Sequence, residues 1–219
     1  MLRLVVALRQ DFSSDGDEAV RGGTIILAMG ALISWPATAA FGGAQPLAAA
    51  ASNRIFLTKA QIDQALATGT LDRPVKSLLS VKAPLRFGDY SWDERGVPAG
   101  PTWVRVDLKS QLISVFRAGH EIGTAVVVYG ADGLPTPVGK FPILAKLRNH
   151  RSSTYDAPMP YTLRLTRDGV SIHGSNVRWG TATHGCVGVP LNFAQHLFAA
   201  TKVGDEVVVV GDPSRKQTL

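Results

Sequence analysis

The chain has 219 residues, of which 45% are hydrophobic and 18% charged, with a formal net charge of +6 and a pI near 9.7. Such a composition excludes a disordered chain, and the length suggests one principal domain with room for extra segments. No Lys/Arg run of the kind that marks a nucleic-acid tail is present, so nucleic acid is not an expected partner; an anionic membrane surface or an acidic polymer suits the charge better.

Residues 1–52 read as an N-terminal leader followed by a low-complexity linker. Arg21 precedes an apolar run from Ile25 to Trp35, Pro36 ends it, and Ala37-Thr38-Ala39 gives a small-x-small cleavage pattern. A run of this length suits the apolar region of a signal peptide and is short for a membrane span. Leu47 to Ser52 offers a later cleavage site, and an uncleaved anchor reaching toward Phe41 is the alternative. Arg3 and Arg9 are mixed with Asp11, Asp15, Asp17 and Glu18, so the first twenty residues are not a clean positive region, and translation is expected to begin near Val20. The expectation is an exported protein of the periplasm or cell envelope.

Residues 53–98 read as a helical and irregular segment. Thr58-Lys-Ala-Gln61 forms a capping box, Ile62 and Leu66 share one face, and Gly69 supplies a C-terminal stop. This predicts an amphipathic packing helix. From Arg73 to Pro101 the chain is rich in Pro, Gly and charge and reads as an irregular connector or a partly extended prodomain.

Residues 99–212 read as the catalytic domain, mostly β and rich in meander, with one or two short helices. Trp103, Arg105 and Asp107 alternate with Val104, Val106 and Leu108, which predicts a strand. Leu112 to Phe116 and Ile122 to Tyr129 follow across short turns, then a loop runs from Gly130 to Gly139. Phe141 to Leu147 and Tyr161 to Thr166 are further strands, and Arg167-Asp168-Gly169 predicts a hairpin into Val170 to His173. Pro190 sits like a first helical residue, Leu191, Ala194, Leu197 and Phe198 recur at helical spacing, and Gly204 closes the helix. Glu206 to Val210 is the last strand, and 213–219 is a tail.

The chemistry concentrates in Ile172-His-Gly-Ser-Asn-Val-Arg-Trp-Gly-Thr-Ala-Thr-His-Gly-Cys-Val187, which holds His173, His184 and the only cysteine, Cys186. A lone cysteine cannot form an internal disulfide, and a nucleophilic thiol needs a base within hydrogen-bond reach. His184, two positions away, and His173, at the end of a predicted strand, both qualify. Gly185 permits the turn that lets backbone N–H groups converge on a developing oxyanion. A metal site of His173, His184 and Cys186 is the rival reading, but no H-x-E or C-x-x-C pattern accompanies them, and neither metal nor cofactor is expected. A buried Cys among core histidines is the bland alternative, and it sits poorly with so many reactive and glycine residues in one short stretch. His120, His150 and His196 read as turn or surface residues.

Thr183-His184-Gly185-Cys186, preceded by Ile172-His173-Gly174, resembles the signature of the L,D-transpeptidase catalytic domain, the YkuD domain. Val106-Asp107-Leu108 with Leu112-Ile-Ser-Val-Phe116 resembles the family's opening hairpin, and Leu134-Pro-Thr-Pro-Val-Gly-Lys-Phe141 resembles its T-P-x-G-x-F segment. The resemblance implies a β-rich fold acting on peptidoglycan stem peptides, in cell-wall biogenesis and cell shape. Cys186 would form a thioester and release a terminal D-alanine, and an amine of a second stem would resolve it into a 3→3 cross-link. His173 would be the general acid/base, oriented by the Gly174 carbonyl, with the amides of His184, Gly185 and Cys186 lining the oxyanion hole. Tyr161, Arg178 and Trp179 are candidate substrate contacts, Arg178 because a guanidinium matches a carboxylate bidentately.

Two departures stand out. The interval from His173 to Cys186 is shorter than usual in the family, which trims the loop Ser175 to Ala182. Gly188 stands where many members carry Asn or Arg. The alternative functions are an amide hydrolase on the same fold, which shares the acylation half-reaction, and a non-catalytic wall-binding module.

Overall fold

A computed structural model of the protein describes residues 53–131 and 133–211. The leader and the tail expected from the sequence lie outside the described residues. Among those described, no helix is long and apolar enough to cross a membrane.

The structure is mostly β, with two helices. In chain order the elements are β1 (Arg54–Phe56), α1 (Lys59–Ala67), β2 (Ser77–Leu79), β3 (Tyr90–Trp92), β4 (Thr102–Asp107), β5 (Leu112–Arg117) and β6 (His120–Val126). They continue with β7 (Gly139–Pro142), β8 (Ala145–Arg151), β9 (Pro158–Arg164), β10 (Ser171–Ser175), β11 (Val187–Pro190), α2 (Leu191–Ala200) and β12 (Glu206–Val210). One sheet runs β1-β2-β6-β5-β4-β12-β7, with β3 also paired to β6, and the second runs β11-β10-β9-β8.

The alternation read in β4 explains how the sheets stack. Val104, Val106 and Leu108 face a core that also takes Ile113 and Val115 from β5, Leu163 and Ile172 from the second sheet, and Phe193 and Leu197 from α2. Burying each such side chain contributes about 1.5–3 kcal/mol, so this face fixes how the two sheets pack. Trp103 points the other way, stacks on Phe116 at 4.3 Å, and joins Ala65 of α1, Leu71 and Val75 in a smaller core. The capping box forms as expected, with Thr58 and Gln61 bonding reciprocally, and Gly69 follows the C-cap at φ +67°.

Four sequence expectations need correction. The stretch from Arg73 to Pro101 is irregular over most of its length but is more than a connector: it carries β2, which pairs with β1 and β6, and β3, which lies antiparallel on β6. The buried Glu121 carboxylate binds the Leu79 amide at 2.8 Å and the Ser114 hydroxyl at 2.6 Å, while Arg54 donates to the carbonyls of Glu121 and Asp93. Secondly, Phe141 to Leu147 is two strands in different sheets, because the backbone changes partner between Ile143, bonded to Asp205, and Leu144, bonded to Arg164. Thirdly, Pro190 ends β11 and caps α2 rather than opening it. Lastly, Thr201 closes that helix by donating backbone and side chain to the Leu197 carbonyl, and Gly204 turns the chain toward β12.

Candidate active site

β10 and β11 run parallel, with Ile172 opposite Val187 and His173 opposite Gly188. Ile172 and Val187 are fully buried in the core. Side chains alternate along a strand, and Cys186 directly precedes β11, so carrying the alternation back by one residue puts it on the face of His173, opposite the core. With strands about 4.8 Å apart and a rise of about 3.3 Å per residue, their Cα atoms stand about 8 Å apart as diagonal neighbours. Both line a cleft of about 530 Å³. His184 lines the same cleft but is exposed.

His173 lies 3.0 Å through Nδ1 from the Gly174 carbonyl oxygen. A carbonyl only accepts, so Nδ1 carries the proton and Nε2 is left as the basic nitrogen. Burial pushes the imidazole below its usual pKa, the Gly174 bond opposes that, and the nearby His150 adds to the lowering. The Cys186 thiol is raised by burial, against a smaller pull from the Ser171 backbone N–H. Its sulfur lies 3.9 Å from the Gly169 carbonyl oxygen. Both shifts favour neutral forms. The resting pair is therefore a thiol beside a neutral imidazole, suited to base-assisted attack rather than to a preformed ion pair.

The turn before Cys186 is held from a distance in sequence. Gly185 adopts φ +101°, a region that side chains disfavour. The buried Thr136 hydroxyl accepts from the Gly130 amide and donates to the Gly185 carbonyl, both at 2.9 Å. Thr183 donates its hydroxyl to the Cys186 carbonyl at 2.5 Å. The Thr183 amide bonds Tyr129, and Val128 exchanges two backbone bonds with Gly188. These bonds hold the Gly185 and Cys186 carbonyls away from the cleft. Among the described residues the amides of His184, Gly185 and Cys186 meet no acceptor.

Gly188 has a steric reason. A Cβ there would stand 2.7 Å from Val128 Cγ2 and 2.8 Å from Ser175 Cβ, so neither Asn nor Arg has room at this position. Tyr161 does not line the cleft; it packs edge-on against Phe198 of α2 at 5.8 Å. Arg178 is exposed in the turn closed by Thr181, and Trp179 rests on Phe87 at 5.5 Å, both away from the cleft lining. Conversely, His150 lines the cleft, contrary to its reading as a turn or surface residue. His120 bonds Ser77 at 2.9 Å, and His196 stacks on Trp92 at 5.2 Å. Tyr155, from the β8–β9 loop, stacks on His184 at 4.1 Å across the cleft mouth. No local sequence signal marks Tyr155 or His150. Thr136 had one, its place in the T-P-x-G-x-F segment. No group of three His, Cys, Asp or Glu side chains able to hold a metal forms among the described residues.

The family model of the L,D-transpeptidase catalytic domain (YkuD) matches residues 101–209. These residues belong to the L,D-transpeptidase catalytic-domain family. The match runs from just before β4 to Val209 within β12, and so includes both sheets' central strands and the whole His173–Cys186 segment. A curated relative, L,D-transpeptidase 1 of Mycobacterium tuberculosis, is 26% identical over 121 residues, covering 48% of each chain. The chain thus spans about half the length of the curated relatives it matches. Among solved structures, an L,D-transpeptidase from Stackebrandtia nassauensis is 27% identical, covering 54% of this chain and 60% of that one with a TM-score of 0.49. The crystal structure of M. tuberculosis L,D-transpeptidase 1 is 26% identical, covering 51% and 62%, with a TM-score of 0.46.

Proposed function

We propose that this chain is an exported peptidoglycan L,D-transpeptidase that forms 3→3 cross-links through a Cys186 thioester. The observation that carries this is the pairing of His173 and Cys186 on one face of adjacent strands, with the imidazole fixed by Gly174 and the nucleophile turn offering unpaired amides. His173 Nε2 takes the Cys186 proton as the sulfur attacks the carbonyl carbon of the stem amide. The amides of His184, Gly185 and Cys186 receive the oxyanion, where removing one such donor costs about 2.7–4 kcal/mol of barrier in a comparable site. Collapse breaks the C–N bond, and His173 returns its proton to the departing D-alanine amine. An acceptor amine then attacks the thioester, His173 takes its proton, and the thiol is regenerated. The apolar run at Ile25 to Trp35 supports work in the periplasm or cell envelope, with a signal peptide or an anchor delivering it. The basic net charge suits an acidic wall polymer.

The test incubates purified disaccharide-tetrapeptides with the enzyme and with Cys186→Ala, and reads products and intact protein mass. Cross-linked dimers and a covalent acyl-enzyme, both lost in the variant, are expected. Shortened monomers without dimers would assign the hydrolase instead. Turnover retained by Cys186→Ala would overturn the mechanism.

A further inference from the structure

Arg164 is the last residue of β9, and nothing in the mechanism above uses it. The sheet register places it in one row with the nucleophile. Arg164 pairs with Ser171 of β10, and Ser171 is the residue whose backbone N–H faces the Cys186 sulfur. Its neighbour Leu163 pairs with Ile172, and both are fully buried in the core. Arg164 therefore projects from the same face as Cys186, two strands away, at about 10 Å between Cα atoms. An arginine side chain reaches most of that distance.

Arg164 lines the Cys186 cleft but makes no side-chain hydrogen bond or ion pair with any described residue. Its Nε is shielded from water and has no acceptor. A buried donor left without a partner is costly, so the position of this guanidinium is not explained by anything it binds within the protein. The same wall carries Arg167, and among the described residues Asp168 is the only carboxylate lining the cleft. A guanidinium is a rigid fork that matches a carboxylate in two parallel hydrogen bonds.

We propose that Arg164 anchors a carboxylate of the acyl-donor substrate next to the scissile amide, and so sets donor specificity. The proposal rests on the stem-peptide reading of the site and names what that reading leaves open. Two carboxylates have the right chemistry: the C-terminus of the departing residue, and a side-chain carboxylate on the residue that is acylated onto Cys186. Both are acceptors of the geometry that a guanidinium matches.

The experiment compares three synthetic stem tetrapeptides: one with both carboxylates free, one with the C-terminus amidated, and one with the third residue's side chain amidated. Release of the fourth residue is followed for wild type, Arg164→Gln and Arg164→Lys. Alkylation of Cys186 by neutral iodoacetamide checks that each variant keeps its folded cleft. The expected result is a loss of about 10- to 100-fold in kcat/KM for Arg164→Gln on the free peptide, carried mainly by KM. One amidated peptide should show the same loss with wild type and no further loss with Arg164→Gln, which identifies the carboxylate. Arg164→Lys should recover part of the activity. Equal losses on all three peptides, or none, overturn the anchor while leaving the transpeptidase reading intact. Wild type that is alkylated normally but turns over no peptide overturns both.

Discussion

The two walls of the cleft are built differently. The wall that carries His173 and Cys186 is the strand pair β10–β11, and its turn is held by Thr136, Tyr129 and Val128 from segments some fifty residues earlier in the chain. The opposite rim, from the β8–β9 loop, meets that turn through an exposed ring stack, Tyr155 on His184. Within its own loop, Tyr155 has a single bond, from its amide to Ser152 at 3.2 Å. Rigid strand ends hold reacting groups to within fractions of an ångström, whereas loops on the surface adapt to what enters. Under the proposed function, the chemistry is thus fixed on one side and substrate shape is met on the other. Substitutions on the first wall should act on kcat, and those on the rim on KM.

The largest expected effect on this contrast is at the base. His173→Gln keeps a side chain of similar reach but cannot cycle a proton, and should lower the acylation rate by about 10²–10⁴-fold. In the proposed mechanism the neutral imidazole is the active form, and burial lowers its pKa from the usual 6.5. Acylation should therefore rise with pH through a midpoint below 6.5 and then level off, and His173→Gln should lose that limb. The same shift has a stability consequence. Below pH 6.5 the unfolded chain binds a proton that the folded His173 resists, so this group's contribution to stability falls as the medium is acidified through that window. Thermal melts from pH 5 to 7, with and without the substitution, read it directly. An acylation midpoint above 6.5 would contradict the assignment of His173.

Gly188→Asn places a side chain where the structure leaves no room and should be harmful. The new Cβ meets Val128 and Ser175 at distances that real side chains do not tolerate. Overpacking of this kind costs about 1–3 kcal/mol, and the melting temperature should fall by several degrees. Removing the obstruction in the double variant Ser175→Gly/Gly188→Asn should recover part of the loss, because the two sites share one volume.

How far the sequence carried can be seen at these same residues. Alternation made β4 and β5 legible, since Val104 and Val106 repeat at the period of a half-buried strand, and a valine-rich apolar run marked β6. The Thr183–Cys186 segment was legible because its residue types are chemically unusual together. β2 and β3 were not, because three residues are too few to show a period, and all three residues of β2 are buried. β11 was hidden beside the motif, since Val187-Gly-Val-Pro190 is both a strand and the approach to a helix. Tyr161 is a candidate substrate contact from the sequence, but its side chain turns to α2 at a backbone with φ +56°. Arg164 and Tyr155 reach the cleft only through sheet pairing and loop placement, which are long-range facts with no local trace.

Thr136→Val tests the clamp with an almost isosteric change. It removes the hydroxyl that joins the Gly130 amide to the Gly185 carbonyl in a buried place. Leaving those groups unpaired should cost about 1–3 kcal/mol of stability. Because the Gly185 turn is released, kcat should fall more than KM changes. Thr136→Ser keeps the hydroxyl and should recover kcat, which separates the clamp from a mere packing role. An equal fall in both parameters would mean that the turn does not depend on this bond.

The rim should yield the smallest effect. Tyr155 is half exposed, and its stack on His184 lies in water, where a ring pair contributes little more than about 0.5 kcal/mol. Tyr155→Ala should leave the melting temperature within a degree or two and leave Cys186 alkylation unchanged, because no bond to the nucleophile turn passes through the ring. Its effect should appear in KM for the stem peptide, by a few-fold, with kcat nearly constant. Tyr155→Phe should behave as wild type, since the contact is made by the ring face rather than by the hydroxyl. A fall in kcat from Tyr155→Ala as large as that from Thr136→Val would mean that both walls position the reacting groups, and the division between a fixed wall and an adaptable rim would not hold.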